Sequence, residues 1–67
     1  MEYFGKTLKQ LRIEEGLSQA QLANTLNLAQ RTISAWETNK QEPDMTMQIR
    51  IAKFFNVDIN YLLGYEQ

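Results

Sequence analysis

A chain of 67 residues with 43% hydrophobic residues has the size of one small domain, and such a domain hides only about 60% of its unfolded surface. With neither cysteine nor histidine, it has no disulfide framework, no thiolate metal site and none of the commonest acid/base chemistry, and a reducing cytoplasm is the compartment that fits. A formal charge of -1 is unusual for a nucleic-acid binder, so such a role has to rest on where the charges lie. The apolar runs are too short to span a bilayer, and Met1-Glu2-Tyr3 opens neither a signal peptide nor a lipidation motif. The expectation is a cytoplasmic protein without a membrane partner.

The first predicted helix runs from Tyr3 to Glu15, with Phe4, Leu8 and Leu11 at helical spacing, Ile13 off that stripe and exposed, and Gly16 as the stop. A second helix, from Ser18 to Leu26, starts on a capping box in which Ser18 and Gln21 satisfy each other's backbone donors. Leu22, Ala23 and Leu26 form its apolar face, and Asn27 tolerates the left-handed backbone that redirects the chain within three residues. Leu28, in the turn, plugs the same core. A third helix follows from Ala29 to Thr38, carrying Ile33 and Trp36 on one face, with the small Ala23 where the two axes cross. Two short helices on so tight a turn are the layout of a DNA-reading helix-turn-helix.

The other face of the third helix offers Gln30, Arg31, Thr32, Ser34 and Ala35, and no Asp or Glu occurs between Gly16 and Trp36. Phosphates repel carboxylates, so an acid-free, amide-rich surface with Arg31 and Lys40 at its middle and edge is what a DNA face needs. Gln30 and Arg31 open the helix, where side chains point most directly into a major groove. Gln pairs bidentately with adenine and Arg with guanine, each worth about 1–3 kcal/mol of discrimination. Thr32 suits a phosphate or a thymine methyl; Ser34 and Ala35 read equally as groove-floor contacts or as plain surface. Seven acids, Glu2, Glu14, Glu15, Glu42, Asp44, Asp58 and Glu66, lie outside both central helices.

After the loop Gln41–Pro43, Asp44 caps a fourth helix from Met45 to Phe55. It has more apolar surface than one core face needs: Met45, Ile49, Ala52 and Phe55 form one stripe and Met47, Ile51 and Phe54 another. A fifth, very short helix begins after Asp58 and carries Ile59, Leu62 and Leu63 before Gly64 ends it. Two readings stay open for Phe54, Tyr61 and Tyr65: core residues of a small helical domain, or the two-fold contact of a homodimer. Five helices on short connections make an all-α domain.

Leu8 to Arg12 (L-x-x-L-R), Gly16 to Ala23 (G-L-S-Q-x-x-L-A), Thr32 to Glu37 (T-I-S-x-W-E), Pro43, Ile51 to Val57 (I-A-K-F-F-N-V) and Leu62 to Gly64 (L-L-G) occur in this order over nearly the whole chain. In this the chain resembles the Cro/C1-type helix-turn-helix family of phage repressors and bacterial regulators. The resemblance implies a compact lambda-repressor-like fold, residues 1–67 forming a single helix-turn-helix domain. It implies that Gln19 lies at the DNA backbone and buttresses the first reading side chain, that Thr38, Asn39 and Lys40 anchor phosphates, and that Arg12 pairs with Glu37 as a structural link. Four positions depart from the pattern. Ala29 replaces a capping Ser or Thr, Ala35 a larger polar reader, Asn39 the usual Gly, and Gln48 a Leu.

The expected function is a sequence-specific transcriptional regulator, a repressor that binds a near-palindromic operator in double-stranded DNA as a homodimer, with no cofactor and no metal. An antitoxin or a restriction-modification controller of the same fold is one rival. The other is a protein-interaction module that has lost DNA, which the acidic balance and Ala29 keep open. An enzyme is not expected, since there is no phosphate-cradling Gly loop, no metal-ligand cluster and no nucleophile paired with a base.

Overall fold

In the computed structural model, which describes residues 3–65, the first periodic segment forms α1, Phe4–Glu14. It is followed by α2, Gln19–Leu26, α3, Gln30–Glu37, α4, Met45–Phe55, and α5, Ile59–Leu63, with no strand among the described residues. The fold is all-α. Glu2 and Glu66, counted above among the outlying acids, lie outside the described residues.

Local chemistry starts and stops these helices. Both halves of the Ser18–Gln21 capping box are made, and the Asp44 and Asp58 carboxylates accept from the backbone N–H groups of Met47 and Asn60. Just past each helix a residue turns left-handed: Gly16 (φ 71°), Asn27 (φ 60°), Asn39 (φ 59°), Asn56 (φ 56°) and Gly64 (φ 88°). In every case the next N–H reaches back to a carbonyl in the last turn, as in Leu28 N–H to Ala23 O at 2.8 Å and Val57 N–H to Ala52 O at 3.0 Å. Asn does this work at three of the five ends because its short polar side chain lowers the cost of that backbone. Asn56 plays the same part as Asn27, which sequence reasoning did identify.

The core draws on every helix: Phe4, Leu8 and Leu11 from α1, Leu22, Ala23 and Leu26 from α2, Ile33 and Trp36 from α3, Ile51, Ala52 and Phe55 from α4, and Leu62 from α5. Phe4 and Trp36 meet edge to face at 6.4 Å. Each fully buried aliphatic or aromatic residue is worth about 1.5–3 kcal/mol relative to exposure, so no helix can leave without a large loss. Ile13 is exposed.

Neither apolar stripe expected for α4 is the one that packs. The buried face is Gln48, Ile51, Ala52 and Phe55, while Met45, Ile49 and Phe54 face solvent. The i, i+3, i+4, i+7 spacing of that face is regular, but its first position is polar, so an apolar pattern skips it. Gln48 is inside because its Nε2 donates to the Pro43 carbonyl at 2.9 Å, holding the loop that precedes α4.

Candidate nucleic-acid interface

The helix pair α2–α3 is built from the capping box, the left-handed Asn27 and the buried Ala23, which allows the axes to approach closely. Ala29 occupies the N-cap of α3 with an extended backbone (ψ 147°) and no side-chain bond to the helix. The fully buried Ile33 and nearly buried Trp36 turn the opposite side of α3 outward. Arg31, Ser34, Ala35 and Thr38 fall at i, i+3, i+4 and i+7 on that side, with Gln30 and Thr32 on its two flanks. Gln30, Arg31, Thr38, Asn39 and Lys40 are exposed, and Thr32, Ser34 and Ala35 are half-buried.

Glu37, the acid at the end of α3, is taken out of this surface. Its side chain is only 3% exposed, and its Oε2 accepts from Arg12 Nε at 2.6 Å while Oε1 accepts from Arg12 Nη2 at 3.1 Å. Arg12 spends a further N–H on the Leu17 carbonyl at 2.8 Å, so one guanidinium ties α1, the α1–α2 turn and α3 together. The hydrogen bond to Glu37 raises the Arg12 pKa above its ordinary value; burial opposes this and the Coulombic attraction of Glu37 assists it.

The network continues toward the groove-facing side. Gln19 Nε2 donates to Glu37 Oε1 at 3.1 Å, and Gln30 Nε2 donates to Gln19 Oε1 at 3.5 Å. A chain of contacts thus runs from the interior ion pair to the first side chain of α3, its last link long and exposed. The ion pair joins residues 25 apart in sequence, and nothing local marks it.

Thr38 and Asn39 carry structural duties as well. The Thr38 hydroxyl donates to the Ser34 carbonyl at 2.9 Å, and Asn39 Oδ1 accepts from the Gly5 N–H at 3.2 Å. Gly5 was not singled out by sequence, yet a Cβ built there would lie 2.5 Å from the Trp36 carbonyl and 2.7 Å from that of Glu37. Only glycine lets α1 press its first turn against the end of α3. Phe54 is 40% and Tyr65 78% exposed, whereas Tyr61 packs partly buried against the core. Among the described residues, no set of His, Cys, Asp or Glu side chains is grouped to hold a metal ion, and no helix is long and apolar enough to cross a membrane.

Comparison with known proteins gives the same architecture a context. Residues 8–62 match the model of a family described as helix-turn-helix. Over 64 residues the chain is 42% identical to the HTH-type transcriptional activator BcrR of Enterococcus faecalis, covering 96% of this chain and 31% of that protein. It is 32% identical over 61 residues to the cryptic phage CTXphi transcriptional repressor RstR of Vibrio cholerae, covering 91% of this chain and 55% of that one. The chain therefore spans about a third of the first relative and about half of the second. A crystal structure of a transcriptional regulator from Listeria innocua superposes with a TM-score of 0.86 at 36% identity, over 96% of this chain and 60% of that one. The fold, the α2–α3 unit and these likenesses agree: the chain belongs to the helix-turn-helix family of transcriptional regulators.

Proposed function

We propose that this chain reads a specific double-stranded DNA site and represses transcription there as a homodimer. One observation carries the reading: the solvent-facing side of α3 is free of acid, bears Arg31 at its centre, and has Gln30 at its start, in contact with the Gln19–Glu37–Arg12 network. Gln30 and Arg31 contact base edges, and Thr32, Ser34 and Ala35 lie along the groove wall and floor. Gln19, Thr38, Asn39 and Lys40 meet phosphates, Asn39 through its amide NH2 because its oxygen already serves Gly5.

Phe54, Tyr61 and Tyr65 form the subunit contact in this reading, supported by the exposure of Phe54 and Tyr65. In this reading the two α3 helices enter successive major grooves about 34 Å apart, one turn of duplex. Repression follows when the site overlaps a promoter. Activation is the second reading, favoured by the likeness to the Enterococcus faecalis activator; a promoter–reporter fusion carrying the bound site separates the two by the sign of the change.

Competition mobility shift tests the assignment. Arg31→Ala weakens binding to the specific site by about 1–3 kcal/mol and relaxes preference at one position. Lys40→Ala weakens specific and random duplexes alike and lowers the salt slope by about one. Equal behaviour of the two variants contradicts these roles, and no shift by the unmodified chain at any salt favours the protein-interaction module.

A further inference from the structure

We infer that Asn39 is a positioning residue for Lys40: its side chain caps α1 from 34 residues away and so fixes the segment that follows the reading helix. This rests on the DNA-reading function proposed above, in which Lys40 meets a phosphate.

Two helix ends meet at this one residue. Its backbone, left-handed at φ 59°, closes α3: the Asn39 N–H donates to the Trp36 carbonyl at 3.1 Å and the Lys40 N–H to the Ala35 carbonyl at 2.9 Å. Its side chain serves the start of α1. Tyr3, at the N-cap of that helix, makes no side-chain cap, and the Gly5 N–H, a first-turn donor with no acceptor inside the helix, goes to Asn39 Oδ1 at 3.2 Å. An N–H can only donate, so the Asn39 amide has one orientation here. Glycine, the residue of the family pattern, would close α3 equally well but has no side chain to reach α1.

The surroundings leave this contact little play. A Cβ added to Gly5 would lie 2.5 Å from the Trp36 carbonyl and 2.8 Å from Asn39 Oδ1, so the first turn of α1 and the last turn of α3 are already in close contact at this point. Lys40, exposed and next in the chain, therefore starts from a fixed backbone. Holding a phosphate then costs it the rotamer freedom of its own side chain, without the further cost of ordering the segment.

The test is a double-mutant cycle read as salt dependence. Affinity of the full chain for a random-sequence duplex is measured between about 50 and 200 mM salt, with and without Lys40→Ala, in the unmodified, Asn39→Gly and Asn39→Asp backgrounds. In the unmodified background Lys40→Ala lowers the slope of log affinity against log salt by about 0.9, a roughly threefold difference over that range. In Asn39→Gly, whose backbone still suits the left-handed turn, the same change moves the slope by less than about half as much, because Lys40 is no longer held. Loss of the Asn39 amide itself removes no charge and leaves the slope alone. Asn39→Asp keeps an acceptor for the Gly5 N–H and restores the full difference, at lower overall affinity because it adds a carboxylate. In the free chain, exchange of the Gly5 amide quickens about fivefold in Asn39→Gly, the worth of one amide hydrogen bond, and does not quicken in Asn39→Asp. A full slope change from Lys40→Ala in Asn39→Gly, no slope change from it in the unmodified or Asn39→Asp background, or unaltered Gly5 exchange in Asn39→Gly overturns the inference while leaving the regulator reading intact. Failure of the unmodified chain to bind any duplex overturns both.

Discussion

Replacing Arg12 with alanine isolates a buried carboxylate, and the structure sets the size of the effect. Glu37, 3% exposed at its side chain, loses two hydrogen bonds and its counter-charge and keeps only the Gln19 amide at 3.1 Å. Breaking one half of such a pair costs about 3–5 kcal/mol, most of it the penalty of an uncompensated buried charge. A domain of 67 residues has roughly 3–10 kcal/mol of total stability, so Arg12→Ala leaves it marginal or unfolded at room temperature. The single tryptophan, Trp36, packed against Phe4, supplies the fluorescence signal for urea denaturation. The double variant Arg12→Met, Glu37→Leu removes both charges at similar volume and should recover most of the loss, because the intact pair adds little net stability. A cost below about 1 kcal/mol for Arg12→Ala, or a double variant as unstable as the sum of the singles, would refute the reasoning.

Other substitutions probe separate parts of the account. Ala29→Ser restores a side-chain acceptor at an N-cap whose backbone is already extended, and should stabilise by about 1 kcal/mol in the same urea titration. Gly5→Ala drives a methyl group into the Trp36 and Glu37 carbonyls; a loss of about 1–3 kcal/mol is expected, with weaker DNA binding because the end of α3 shifts. Trp36→Ala should cost about 3–5 kcal/mol by calorimetry or urea. Because the folded state raises the Arg12 pKa, its contribution is complete below the unfolded value and fades only as pH rises through the higher folded one. Urea midpoints should therefore show no loss traceable to Arg12 from neutral pH to about pH 10.

What could be read in advance was what is local. Ser18 with Gln21, Asp44, Gly16, Asn27 and Gly64 act on backbone groups within a few residues of themselves, so their chemistry is visible in a linear string and the helix limits follow. The core face of α4 was not legible because the place of Gln48 inside depends on the Pro43 carbonyl arriving beside it, which no periodicity encodes. Gly5 and Asn39 are 34 residues apart, and although Asn39 stands out as a replacement for the family's Gly, nothing in the string couples it to Gly5 until the fold brings them together. The Arg12–Glu37 pair was anticipated only through family resemblance, since spacing alone does not link them. The reading face of α3 was legible for a simpler reason: a buried Ile33 and Trp36 dictate which residues point the other way.

Selection of bound duplexes from a random pool tests the central claim most directly. The account predicts enrichment of two copies of a short motif in inverted orientation, centred about one helical turn apart, and loss of one conserved position in each copy when Arg31→Ala is used. A pool that stays random after repeated rounds, at low salt as well as moderate salt, would contradict it.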